Sequence, residues 1–244
     1  MNIHNVNQDF FGRTLTVETG KLAKQADGSV VVTYGETVLL ATVVSSKTVK
    51  EDQDFFPLTV DYRERFTAAG KFRAGYLKRE SKPTQREILT ARLTDRPLRP
   101  LFQDGFFYEV QIEVMVISAD QQNDPDVLSI LGASAALGVS AIPFNGPVGG
   151  VRVGRIDGAY VINPTMEQRA NSDIDIILAG SDNGILMVEG SAQLISEKEL
   201  LEVLDFGFDA IKELLTLQKR LFEQVNIPKD NRLLFPVDKI LIEK

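Results

Sequence analysis

The sequence predicts an α+β fold in which mixed or antiparallel sheets pack against helices. Three observations predict it. The first half of the chain carries short runs that alternate apolar and polar residues, separated by glycine turns. Two stretches place a helix-capping pattern just before an apolar stripe. More strand patterns recur between those two stretches.

Arg13 to Thr19 alternates with period two and stops at Gly20. Ala26-Asp27-Gly28 is a turn signal leading into Ser29 to Tyr34. Gly35-Glu36 turns the chain again into Val38 to Val44, and a fourth strand is expected at Phe55 to Tyr62. Together these suggest an antiparallel meander. Residues before it, with His4 the only histidine, are expected to be loose. Gly70 to Pro83 contains Gly70, Gly75 and Pro83 without a clear period and reads as an exposed loop. Thr84 is a helix N-cap with Glu87 in the capping-box position, and Ile88, Leu89 and Leu93 form the apolar stripe. Pro97 should end or kink that helix near Arg96.

Val110 to Ser118 reads as a strand. Asn123-Asp124-Pro125 opens a helix through Leu128, Leu131, Ala135 and Leu137, whose small residues from Gly132 to Ala136 allow close packing on a sheet. Val148 to Val153, Ala159 to Ile162, Ile174 to Ala179 and Ile185 to Glu189 read as strands. Ser196 to Glu199 is a capping box, and a long amphipathic helix runs to about Val225, where Asn226-Ile227-Pro228 stops it. The remainder, to Lys244, is too short for a core of its own. It reads as a strap across the body or the start of something further. Gly149-Gly150 and Gly154 lack the lysine and the strand-turn-helix setting of a phosphate loop, and are read as close backbone approach beside a strand. Phe55-Phe56 and Phe106-Phe107 are read as core and edge packing.

The chain has 244 residues, 43% hydrophobic and 25% charged, the composition of an ordinary globular protein. It has no cysteine, which excludes disulfides and thiolate metal sites and agrees with a reducing cytoplasm. With a single histidine, a His-based triad or metal site is not expected. No apolar run approaches the ~20 residues of a membrane span, and the N-terminus lacks a signal-peptide pattern.

Net charge is −7, which alone argues against a polyanion partner. Its distribution argues the other way. Arg63, Arg65, Lys71, Arg73, Lys78, Arg79, Lys82, Arg86, Arg92, Arg96 and Arg99 face only Glu64, Glu80, Glu87 and Asp95, so this window is +7 and the rest of the chain −14. Repulsion opposes such crowding, and a merely solvated face interleaves both signs.

Four segments carry a resemblance: FGRTLTVETGKLAKQADGSVVVTYGETVLLATVV near the start, DRPLRPLF at Asp95 to Phe102, GASAALGVSAIPFNGPVGGVRVG at Gly132 to Gly154, and ILAGSDNGILMVEGSAQLISE at Ile177 to Glu197. From about residue 8 to 225 the chain resembles the first ribonuclease PH-like core of the polynucleotide phosphorylase family. The resemblance implies a ribonuclease PH-like core with a ribosomal-protein-like β-α topology, spanning 1–225, and a tail at 226–244 leading toward a helical domain. It implies phosphate-dependent 3′-to-5′ degradation of RNA to nucleoside diphosphates, a reversible reaction of mRNA turnover. The implied partners are single-stranded RNA, a second core of the same chain, a homotrimeric ring and other RNA-degradation proteins, in the cytoplasm and without a membrane. Mg2+ or Mn2+ and inorganic phosphate are implied for the second core, and none for this segment.

Active copies in that family resemble a pattern of Asp, a second Asp six positions on, and a Lys two beyond it. The matching positions here are Arg169, Asp175 and Ile177, so no catalytic residue is expected in this segment. Asp173 and Asp175 alternate on one strand face and leave a weak metal site open, with solvated strand-end carboxylates as the alternative. The family's RNA-gripping loop, two aromatics followed by two arginines, falls on Tyr76, Leu77, Lys78 and Arg79. Tyr76 keeps a ring, Leu77 loses one, and Lys78 keeps charge without the planar fork of arginine. A second basic motif places Arg92, Arg96 and Arg99 toward RNA or phosphate. The competing expectation for each arginine is an internal ion pair, for example Arg96 with Asp95 or Arg92 with Glu87. Two functional alternatives also stand: a self-sufficient ribonuclease PH-like exonuclease, and a plain RNA-binding or oligomerisation module.

Overall fold

The computed structural model describes residues 2–74, 76, 80, 82–232, 234 and 235. Among the described residues, ten strands form two sheets. The first sheet holds β1 (His4–Phe10), β2 (Arg13–Thr19), β3 (Gly28–Tyr34), β4 (Thr37–Ser45), β5 (Leu58–Glu64) and β6 (Val110–Ser118), in the order β1-β2-β3-β4-β6-β5. The expected meander is present from β2 to β4. Two features differ from expectation. The N-terminal residues form β1, an edge strand paired along its whole length with β2, although only Val6 and Phe10 point inward to the core. The fourth expected strand starts at Leu58 rather than Phe55, and it pairs in parallel with β6. Parallel pairing needs a crossover, and the helix α1 (Gln85–Leu98) supplies it.

Helix α1 begins as its sequence indicates. The Thr84 hydroxyl accepts from the Glu87 N–H at 3.2 Å, and Glu87 accepts from the Thr84 N–H at 2.6 Å. The same carboxylate accepts the Glu64 N–H at 2.9 Å, which ties the helix start to β5. Burial pushes the Glu87 carboxyl up, but these backbone donors outweigh it and hold its pKa below the usual value. The helix runs through Pro97 to Leu98 instead of ending near Arg96. Its buried face is Glu87, Thr90, Leu93, Thr94, Pro97 and Leu98, while Ile88 and Leu89 of the expected stripe are exposed. Polar residues can face the core because they are satisfied there: the Thr94 hydroxyl donates to the Thr90 carbonyl at 3.0 Å and meets the Ser129 hydroxyl at 2.6 Å.

Helix α2 (Asp126–Gly138) is buried along Asp126 to Leu137 and lies between the sheets. Its small residues permit this: Gly132 sits under Leu39 and Ala41 of β4, where an added Cβ would meet their side chains at 2.9 and 3.1 Å. The second sheet holds β7 (Gly149–Ile156), β8 (Ala159–Ile162), β9 (Ile174–Ser181) and β10 (Gly184–Ala192), all antiparallel, in the order β10-β9-β7-β8. Gly150 allows Ile130 of α2 to approach β7, and Gly149 does the same for Ile211 and Leu214 of the long C-terminal helix, as the glycine spacing suggested. A short helix, α3 (Met166–Ala170), has no counterpart among the elements expected from sequence; it precedes β9 behind a Thr165–Gln168 capping box. The long α4 (Glu197–Val225) packs on β7 and β9 and against β1.

Beyond α4 the described residues lie across the body. Lys229 donates to the Leu137, Gly138 and Ser140 carbonyls at the end of α2. Arg232 donates to the Ser45 hydroxyl and Ser46 carbonyl at the end of β4, and the Phe235 ring stacks on Phe107. Phe56 packs with Phe102 and Phe106. Its neighbour Phe55 is exposed.

Candidate RNA-binding surface and an arginine-filled cleft

Two neighbouring regions of the fold carry the candidate residues. The first is the loop between β5 and α1. Its start is a single 3-10 turn at Phe66–Ala69, anchored to the end of β6 by the Ala119 N–H on the Ala68 carbonyl at 3.0 Å. Gly70 turns the chain with φ 66°, in the left-handed region that suits glycine. Glu80 closes the base of the loop, accepting the Phe66 N–H at 3.0 Å and Arg65 at 3.3 Å. Tyr76 stands fully exposed above this base. Leu77, Lys78 and Arg79 lie outside the described residues.

On α1 and just beyond it the three expected arginines have different surroundings. Arg92 is exposed and has no ion pair among the described residues; it lines a shallow groove with β5. Arg96 is half exposed and pairs with Glu189 of β10, not with Asp95. Arg99 is held by Asp95 at 2.7 and 3.1 Å and also donates to the Leu58 carbonyl on the edge of β5 and to the Phe56 carbonyl just before it. Arg99 thereby covers part of a free strand edge that would otherwise invite another chain.

The second region is a cleft of about 400 Å³ between α1, the start of α2 and the second sheet. Arg169, Asp175 and Ile177, the three positions matched to the family pattern, all line it. Charge alternates through it. The Tyr62 hydroxyl donates to Glu64 at 3.2 Å, Glu64 faces Arg86 at 3.4 Å, and Arg86 pairs with Asp124 at 2.6 Å. Arg169 bridges Asp124 at 2.9 Å and Asp175 at 2.7 Å. Arg152 of β7, almost wholly buried, bonds both Asp175 and Asp126 and comes within 4.0 Å of Asp124. Burial works against the Arg152 charge, yet Asp126, Asp175 and Asp124 together raise its pKa above the ordinary value. Burial, reinforced by the Asp124 carboxylate, pushes Asp126 up to about 6.

This arrangement bears on the weak metal site left open at Asp173 and Asp175. Asp175 is shared by two guanidiniums, and Asp173 is bound by Arg155, which also reaches Glu199 at 2.7 Å. Neither carboxylate is a bare solvated group. A divalent cation needs carboxylate oxygens turned toward it, and here arginine nitrogens take them. The residues present do not fit a catalytic metal. Among the described residues no group of three or more His, Asp and Glu could hold one.

Sequence reasoning found Arg169, Asp175 and Ile177 but missed Asp126 and Arg152, and it named Arg86 only within the basic window and Asp124 only at a helix start. One signal was present. Arg152 interrupts an otherwise apolar strand, Val151-Arg152-Val153, and a buried arginine requires acidic partners nearby.

The model of the 3′ exoribonuclease family, domain 1, matches residues 12–143, and that of domain 2 matches residues 146–210. The chain belongs to the 3′ exoribonuclease family. Curated relatives are named polyribonucleotide nucleotidyltransferase. That of Methylacidiphilum infernorum is 54% identical over 230 residues, 94% of this chain and 32% of the relative. That of Syntrophotalea carbinolica is 51% identical over 244 residues, all of this chain and 35% of the relative. That of Roseiflexus castenholzii is 54% identical over 241 residues, 99% of this chain and 32% of the relative. The chain thus spans about a third of the length of these relatives. The fold matches a chain of the Archaeoglobus fulgidus exosome with RNA bound to the active site, at TM-score 0.65 and 18% identity over 87% of this chain and 86% of that one. This shows the ribonuclease PH fold that the exoribonuclease family shares. Among the described residues no helix is long and apolar enough to cross a membrane.

Proposed function

We propose that this chain holds single-stranded RNA for a phosphate-dependent 3′-to-5′ exoribonuclease and performs no phosphorolysis itself. In the reaction, inorganic phosphate attacks the terminal phosphodiester, the RNA shortens by one nucleotide, and a nucleoside diphosphate leaves. On this reading the chemistry, with its Mg2+ or Mn2+, belongs to a second core of a longer polypeptide that assembles as a homotrimeric ring in the cytoplasm and works with other RNA-degradation proteins. Residues 1–225 are the first core, and residues 226–244 lead on toward a helical domain.

One observation carries the non-catalytic part: in the cleft that holds Asp175, Arg152 and Arg169 occupy the carboxylates that a metal would need. The basic window supports the RNA part. Tyr76 and Arg92 are exposed, and Lys78 and Arg79 add charge next to Tyr76 in the sequence. Arg96 and Arg99 are secured by acids yet remain partly exposed, a setting that fixes a guanidinium while leaving a face for phosphate.

The test is RNA affinity as a function of salt. Log affinity should fall with log salt by about 0.7 for each phosphate neutralised on a single strand. Replacing Lys78, Arg79, Arg92 and Arg96 together with alanine is expected to weaken binding. It should also flatten that slope by about 0.7 for each phosphate that no longer meets a cation. Unchanged affinity and slope would refute the assignment.

A further inference from the structure

Most rings in this protein are packed. Phe10 and Tyr34 share the core, as do Phe56, Phe102, Phe106 and Tyr108. Two are not. Phe72 exposes 90% of its surface and Tyr76 100%, more than any other aromatic among the described residues. Both project from the loop whose base Glu80 closes. An isolated phenylalanine held fully in water contributes nothing to folding, since it buries no apolar area. Its immediate neighbours in the chain are Lys71 and Arg73, and Lys82 follows on the same loop.

We propose that Phe72 is a base-stacking ring that works with Tyr76 on single-stranded RNA. The inference rests on the RNA-binding reading above and adds a residue that the sequence resemblance did not single out. Stacking rings set among cations are the usual means of holding a single strand without reading its sequence, because every base presents a π-face. Four residues span at most about 14 Å of chain, so the two rings address bases close together on one strand. The Glu80 contacts fix the base of the loop, and Phe72 and Tyr76 stand exposed beyond it. A ring at position 72 therefore makes the grip depend on bases as well as on phosphates.

The test uses the 244-residue chain and fluorescence anisotropy with two labelled strands of about 12 nucleotides, a length within the usual single-strand site sizes. One is oligo(A) and the other an abasic ribose-phosphate strand. Phe72→Ala and Phe72→Leu are expected to weaken oligo(A) binding about tenfold. Phe72→Trp should retain it, and all three variants should bind the abasic strand as the unaltered chain does. If the unaltered chain binds oligo(A) and Phe72→Ala or Phe72→Leu binds equally well, the stacking role is overturned while the RNA-binding reading stands. If the unaltered chain binds neither strand, both fall together.

Discussion

Replacing Arg152 with Met is expected to destabilise the chain by about 3–5 kcal/mol, the range for breaking a buried ion pair from one side. The side chain is almost wholly buried, and its guanidinium answers Asp126 and Asp175 directly and Asp124 at 4.0 Å. Methionine fills similar space but leaves three carboxylates facing one another, with Arg86 and Arg169 the only other arginines paired with them among the described residues. The loss should depend on pH in a set direction. The folded-state pKa of Asp126 is raised to about 6, so its proton is held more tightly in the folded than in the unfolded chain. That contribution to stability is full below the ordinary aspartate value and is lost as pH rises through about 6. Without Arg152 the Asp126 pKa rises further, and protonation relieves part of the repulsion. Urea titrations should therefore show a larger deficit for Arg152→Met at about pH 7.5 than at about pH 5. An equal deficit at both values would mean that lost packing, not uncompensated charge, sets the cost.

Gly28→Ala is expected to cost about 3 kcal/mol, at the upper end of the range for overpacking. Gly28 opens β3 directly under the C-terminal turn of α2. A Cβ there would stand 2.2 Å from the Ala136 carbonyl oxygen and 2.9 Å from the Ser140 Cβ. The first obstacle is backbone, which cannot rotate away, so the helix itself must shift. Helix α2 carries Asp126 at its other end, against Arg152. The substitution should thus lower the urea midpoint and also loosen the cleft. A midpoint within error of the unaltered chain would show that the helix moves at no cost.

The legible parts of the fold are those decided within a few residues. The Thr84 and Ser196 capping boxes form as their sequences indicate, because each is closed by side chains three positions apart. The β2–β4 meander was legible because glycine turns bound runs of inward-facing Leu15, Val17, Val30, Val32, Leu39 and Ala41. The β1 strand was not, since HNVNQDF buries only two apolar side chains and takes its hydrogen bonds from β2. The parallel placement of β5 depends on where α1 returns the chain, which no local pattern records. Ile88 and Leu89 misled for a related reason: Thr94 faces α2 through a hydroxyl contact with Ser129 that the apolar period cannot show.

The candidate site divides in the same way. The basic window is a matter of composition and stood out at once. The cleft is assembled from α1, the start of α2, α3, β7, β9 and β10, so its acids and arginines are scattered along the chain and meet only in three dimensions. The family pattern indicated a missing Asp and a missing Lys. It did not indicate that arginines had neutralised the carboxylates left behind.

Holding RNA without cleaving it is the role proposed for this chain. The most direct test is release of nucleoside diphosphate from poly(A) by the 244-residue chain, with inorganic phosphate and Mg2+ or Mn2+ present and the chain at a concentration where anisotropy shows the RNA bound. Bound RNA and no phosphate-dependent ADP are expected. Sustained ADP release that requires phosphate would contradict the proposal, and would place a working site among the residues assigned here to structure.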